Sequence, residues 1–163
     1  MATSRHPLYG SNSGYSLQEC GAGGLRCVQS VIDVQTEPTE GDSIRMCKIP
    51  AGHRVVDVKL FCDDLDTGTE LVLDVGVEDA IQDPSDTTNV DAFLDGTTIG
   101  QTGGTATGAL KTMFDLGAVP YDRWLAVLWL TDAATFAAGD LGVVLTTRPE
   151  QSQEAAVEQE AAS

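Results

Sequence analysis

The chain has 163 residues, with 25 Asp and Glu against nine Lys and Arg, for a formal net charge of −16. That length holds one domain with a core of its own and needs no metal or disulfide staple. The charge repels phosphate backbones and anionic lipid headgroups, which argues against direct binding of nucleic acid or membrane. It suits either a solvated acidic surface or docking on a basic partner. No apolar run reaches the ~18 residues of a membrane span, and residues 1–20 hold no apolar block of a secretory signal. Maturation in a reducing cytosol is therefore expected, with free cysteines.

Residues 1–24 read as an arm, rich in Gly and Ser and without a sustained apolar period. Its larger side chains, Leu8, Tyr9, Tyr15 and Leu17, are too few to fold it alone, so it is expected to order against a neighbour with help from Arg5. From Leu25 to Pro149 the signal is β. Residues 25–36 and 43–49 read as strands, with Pro38 to Asp42 as the turn between them. Val56, Val58, Leu60 and Cys62 then alternate with Asp57, Lys59 and Phe61, the period of a half-buried strand. Asp63 to Gly68 reads as a hairpin end with solvated carboxylates, Gly68 supplying positive φ. Leu71, Leu73, Val75 and Val77 resume the alternation.

Residues 79–122 are less regular. Val90 to Leu94 suggests a single helical turn, and 96–108 a long Gly/Thr loop at a sandwich end. RWLAVLWLT (123–131) is apolar at nearly every position, as in a central strand covered on both faces or one that meets a partner. Trp124 and Trp129 lie five apart, so they face opposite sides. One is expected in the core; the other is a candidate interface anchor or sugar-stacking platform. Ala137 to Asp140 turns the chain into a last strand at 141–147. Residues 150–163 form an acidic tail with four Glu and no Lys or Arg.

About six to eight strands over about 125 residues predict an all-β, antiparallel β-sandwich of jelly-roll type. The expected divisions are an N-terminal arm (1–24), the sandwich (25–149) and the acidic tail (150–163). The expected inward set is Val56, Val58, Leu60, Leu71, Leu73, Val75, Leu128, Val143 and Leu145.

Chemistry-bearing motifs are sparse. Cys20, Cys27, Cys47 and Cys62 match no zinc spacing, and His6 and His53 are not placed to form a metal cluster. DDLDTG fails as a calcium loop, because the fifth position from Asp64 is already Gly68. No nucleophile elbow and no phosphate-binding loop appears, and no carboxylate pair stands out from its many neighbours. No enzymatic activity, cofactor or metal is expected.

GDSIRMCKIPAGHRVVDVKLFCDDLDTGTELVLDVGVED (41–79), continued by DAFLDGTTIGQTGG (91–104), resembles a pattern of tailed-phage virion proteins, the capsid decoration or cement proteins. A Gly-Asp strand opening leads to a Pro-Ala-Gly turn, a Val-rich strand, an Asp-rich hairpin and a strand ending Asp-Val-Gly. The resemblance spans roughly residues 25–149; the cysteines, the arm and the acidic tail lie outside its pattern. It implies a β-sandwich bound in many copies to the capsid exterior, a homotrimer with the major capsid protein as partner. Candidate contacts to the capsid or between copies are Arg5, Leu8, Tyr9, Tyr15, Leu17, Trp124 and Trp129. Two other readings stand beside it. One is a receptor- or glycan-binding head-fibre or tail module on the same fold, with a Trp-lined cluster near 96–108. The other is a small hydrolase or isomerase with convergent Asp side chains in a deep pocket.

Overall fold

A computed structural model describes residues 16–20, 24–79 and 89–150. Its strands run β1 (Ser16–Cys20), β2 (Leu25–Val34), β3 (Ser43–Ile49), β4 (His53–Cys62), β5 (Val72–Asp79), β6 (Leu94–Thr97), β7 (Gly104–Thr107), β8 (Arg123–Thr131) and β9 (Gly139–Pro149), with one short helix, α1 (Leu110–Asp115). One sheet has the order β1-β2-β9-β4-β7 and the other β3-β8-β5-β6.

The pairing explains that order. β2 pairs with β9, β3 with β8, β4 with β7 and β5 with β6, all antiparallel. These pairs are nested in the chain, so strands 2 to 9 behave as one long hairpin. Rolling that hairpin up brings β4 beside β9 and β5 beside β8. The result is the eight-stranded jelly roll expected from the strand count, with two sheets closed over one core. β1 adds a fifth strand to one sheet, and it comes from within the stretch read as an arm.

The core is the layer between the sheets. Val58, Leu60, Val143 and Leu145 of one sheet meet Leu73, Val75, Leu125 and Val127 of the other, all without solvent exposure. Two members of the expected inward set are corrected. Val56 is 37% exposed, because the β4–β9 register shifts between Val55 and Asp57. The extra residue turns the strand over, so that Val55 points inward at 3% exposure and the alternation resumes at Val58. Leu128 lies on the outer side of β8, whose inward residues are Leu125, Val127 and Trp129. An all-apolar strand carries no alternation to set its phase, and the wrong parity follows from that.

The connections also differ from expectation. Asp63 to Leu71 is not a hairpin end: β4 and β5 lie in different sheets, so this segment crosses between them. Gly68 has no positive φ. Residues 89–93 form a turn rather than a helical turn. The 96–108 stretch is not a long loop. It holds the end of β6, a 3₁₀ turn at Ile99–Gln101 and β7. Two of its glycines serve close packing, Gly100 against Leu71 and Gly108 against Met113, while Gly96, Gly103 and Gly104 take positive φ.

Candidate functional site

β8 carries both tryptophans, and they do face opposite sides. Trp129 is fully buried. It is withdrawn as a candidate contact, because a ring sealed between two sheets has no surface to offer a partner. Trp124 is half-buried on the outer face of its sheet. The Arg45 guanidinium lies 5.9 Å from the centre of its ring. Arg45 Nε donates to Glu78 Oε2 at 2.7 Å, and the Ser43 hydroxyl donates to the other oxygen of the same carboxylate. Beside them Lys48 pairs with Asp122 at 2.5 Å. The strands explain the cluster: Lys48 and Glu78 are the register partners of Trp124 on β3 and β5. The ring is thus fixed by a cation–π contact and an ion pair on a rigid sheet rather than on a loop. Further along β8 on the same face come Leu128, partly buried, and Leu130, 40% exposed.

Arg5, Leu8, Tyr9 and Tyr15 lie outside the described residues. Leu17 falls in β1, opposite Val28. Leu17, the arm candidate among the described residues, lies in the sheet that does not contain Trp124. The glycan-binding alternative would put a Trp-lined cluster near 96–108; that stretch is two edge strands and a turn, and both tryptophans are on β8.

The two ends of the sandwich differ in charge. At one end the chain makes the connections 35–42, 63–71, 98–103 and 132–138, which together contain carboxylates and no Lys or Arg. Asp66, fully buried, is the hub of this end. Its Oδ1 accepts the amides of Gly68 at 2.8 Å and Thr135 at 3.0 Å. Its Oδ2 accepts those of Glu70 and Leu71, each at 2.9 Å. Burial pushes the Asp66 carboxyl pKa up, but the four amide donors outweigh it and hold it well below the usual carboxylate range. The Leu65 and Asp66 amides bond to Gly100 O, so one residue ties three connections together. Asp66 thus departs from the expected solvated carboxylates, whereas its neighbours Asp63 and Asp64 are exposed. The available signal was the Asp-x-Gly spacing of an Asx turn, which Asp66 and Gly68 do form.

At the other end lie Arg26, Lys48, Arg54, Arg123 and Arg148, at strand termini, interleaved with acids: Glu19 is opposite Arg26 and Asp79 opposite Arg123 in register, and Asp122 and Glu150 pair with Lys48 and Arg54. Arg54 and Arg148 are register partners across β4 and β9. His53 Nδ1 sits 3.2 Å from Thr147 Oγ1, and burial together with the nearby Arg26 charge lowers its pKa. Cross-strand register created this end, and no local motif announced it.

Cys27, Cys47 and Cys62 are free thiols, the latter two buried and pushed up to about 12, mainly by desolvation. Among the described residues, no three His, Cys, Asp or Glu side chains gather in a way that holds a metal ion, and no helix is long and apolar enough to cross a membrane.

No protein-family model matches the chain, and no curated protein matches it. Among solved structures, its fold is similar to a chain of the capsid of Ralstonia phage GP4, with a TM-score of 0.71 and 25% identity over 84% of this chain and 91% of that one. A chain of the cyanophage Pam1 capsid asymmetric unit superimposes with a TM-score of 0.60 over 89% of this chain and 100% of that one. At 23% identity the second match speaks for the fold alone.

Proposed function

We propose that this chain is a structural protein of a tailed-phage virion that binds the outside of the icosahedral capsid and ties neighbouring major capsid protein subunits together as a homotrimer. The observation that carries this reading is the similarity to the Ralstonia phage GP4 capsid chain over nearly the whole length of both chains. Agreement at that extent favours a protein that works as a whole sandwich over one that lends the fold to an unrelated task. The resemblance of residues 41–79 and 91–104 to decoration proteins supplies the finer role, the exterior position and the trimer.

On this reading no bond is made or broken. A shell filled with DNA is loaded outward, and a protein seated where capsomers meet resists that load by holding several subunits at once. Each contact is modest, and linkage makes them act together. The arm residues Arg5, Leu8, Tyr9, Tyr15 and Leu17 and the fixed Trp124 ring are the contact groups. A rigid aromatic beside an arginine is the type of residue that dominates interface energies. Enzymatic and glycan-binding roles are not proposed.

The test is biochemical. Particles purified through a density gradient should carry the chain at a copy number near that of the major capsid protein, and cryo-electron microscopy should place it outside the shell at the junctions of capsomers. A chain absent from gradient-purified particles, or confined to a few copies at the tail, would overturn the reading.

A further inference from the structure

The outer face of the five-stranded sheet carries apolar side chains between two margins of opposite charge. Along β9 the outward residues alternate with the buried Leu141, Val143, Leu145 and Thr147, so they are Asp140, Gly142, Val144, Thr146 and Arg148. Register sets their neighbours on β2 and β4. Gly142 stands between Val31 and Phe61, Val144 between Gln29 and Lys59, and Thr146 between Cys27 and Asp57, next to the exposed Val56. The Phe61 ring leans across Gly142, where an added Cβ would come within 2.1 Å of it, instead of standing off the sheet. At one margin Asp33 and Asp140 are directly opposed and both exposed. Exposed Asp63 continues that row, its amide bonded to Asp140 O. At the other margin Arg54 and Arg148 are directly opposed. Glu150 answers Arg54 at 3.6 Å, and Arg148 is exposed. Asp140 and Arg148 lie about 27 Å apart along β9, with Val144 midway.

We propose that this face docks on the same face of a second copy. A two-fold axis lying between the two sheets and crossing β9 at Val144 runs the strands of one copy antiparallel to those of the other. It sets Asp140 and Asp63 of each copy over Arg148 and Arg54 of the other, and Phe61 of each over Val56 of the other. Lys59 comes near the axis, where its own Asp57, 3.8 Å away, tempers the meeting of the two lysines. Stacking the strands parallel would set acid on acid, so the charges select the orientation. Any other partner would have to match an acidic and a basic margin at this spacing; a second copy does so by symmetry, as an isologous interface requires. The net charge of −16 on each copy opposes association at long range. At about 0.15 M salt the screening length is about 8 Å, which leaves the local pairs to decide. This inference does not depend on the virion role: copies joined into a trimer by other surfaces would pair through this face into a hexamer.

The test is sedimentation velocity of the full chain at about 0.15 M salt over a concentration series. The unaltered chain should pair reversibly, as a dimer or as a hexamer of two trimers. Asp140→Arg and Arg148→Asp each set like charges against one another at both symmetry-related positions. Each should weaken pairing by about tenfold or more, with the circular dichroism spectrum unchanged because both side chains are exposed. An equimolar mixture of the two variants should regain pairing, since each supplies the charge that the other lacks. The chain carrying both changes should regain it as well. An unaltered chain that stays monomeric, or purely trimeric, would overturn the proposal, as would single variants that pair as well as the unaltered chain. Loss of pairing in both single variants without recovery in their mixture would overturn it too.

Discussion

Asp66 is the residue on which the acidic end is organised. Each of its oxygens accepts two backbone amides. An asparagine keeps one acceptor oxygen and turns an NH₂ group toward the other two donors. Leaving two buried donors unmet costs about 2–4 kcal/mol, so Asp66→Asn should lower the urea midpoint by that equivalent at neutral pH. The pH dependence has a defined sign. The folded-state pKa is depressed, so the stabilisation is complete above the unfolded value of about 3.9 and is lost as pH falls below it through the folded value. Urea titrations of the two proteins should therefore converge as the acid limb is descended; a gap of constant size would show that the amides are not reading the charge. The cysteines make a second test. Burial pushes Cys47 and Cys62 up to about 12, and the thiolate is the reactive species. The native protein should label at half-exposed Cys27 well before Cys47 or Cys62, and the denatured, unreduced protein should titrate as four free thiols. Free thiols at Cys27, Cys47 and Cys62 agree with the expectation of a reducing compartment. The role of Asp66 was not legible in the sequence, because it exists only where three connections distant in sequence converge.

Strands were legible wherever polar and apolar residues alternate without interruption. Leu71, Leu73, Val75 and Val77 of the β5 region and Val143 and Leu145 of β9 point inward as the period of two requires. β4 breaks the rule at one point, since a bulge places Val56 and Val58, two residues apart, on opposite faces, and a two-residue period cannot register an inserted residue. That bulge makes a clean prediction. Val55→Asp puts a carboxylate into the core and should cost about 3 kcal/mol or more, whereas Val56→Asp, on the solvent side, should cost less than about 1 kcal/mol. A larger loss for Val56→Asp than for Val55→Asp in thermal unfolding would mean that the strand keeps its simple alternation. β8 was misphased for a different reason: with every position apolar, only burial by neighbours distinguishes Leu128 from Trp129. The crossing from β4 to β5 was misread as a hairpin because turn chemistry reports that a chain bends and not which sheet it enters. Gly76 illustrates contacts of this non-local kind. A Cβ built there lies 2.0 Å from Asn89 O and 2.3 Å from Val90 C. Both are backbone atoms, so Gly76→Ala should displace the 89–93 segment from β5 and cost about 1–3 kcal/mol, with loss of amide protection at Val77, whose N–H bonds to Asn89 O.

At the scale of the whole molecule, the nested pairing buries one face of each sheet and leaves the outer faces and the two ends of the sandwich to meet other molecules. The proposed attachment to a shell rests on the N-terminal arm more than on the acidic tail, and the reason is energetic. Ordering a segment costs about 1–2 kcal/mol per residue in backbone entropy. The arm has Leu8, Tyr9 and Tyr15 with which to offset that cost at about 25 cal/mol per Å² of apolar surface buried, and Arg5 for an acidic groove. The tail has only Val157 as a large apolar residue with which to offset it. A deletion must spare β1, because Ser16–Cys20 pairs with β2 along the sheet edge and its loss would expose the edge of β2. The informative variants are thus removal of residues 1–15, the triple Glu→Gln tail and Trp124→Ala, each assayed for occupancy on undecorated shells across a salt series. Removal of 1–15 should weaken binding by at least tenfold, with only a shallow dependence on salt, since most of what is lost is apolar. Trp124→Ala should weaken it by a factor comparable to one interface anchor, about 1–3 kcal/mol. The neutralised tail should bind within about a factor of two of the full chain. Full occupancy without the arm, combined with loss of binding by the neutralised tail, would assign attachment to the acidic terminus instead and place the shell's basic surface, not an apolar groove, as the receiving partner.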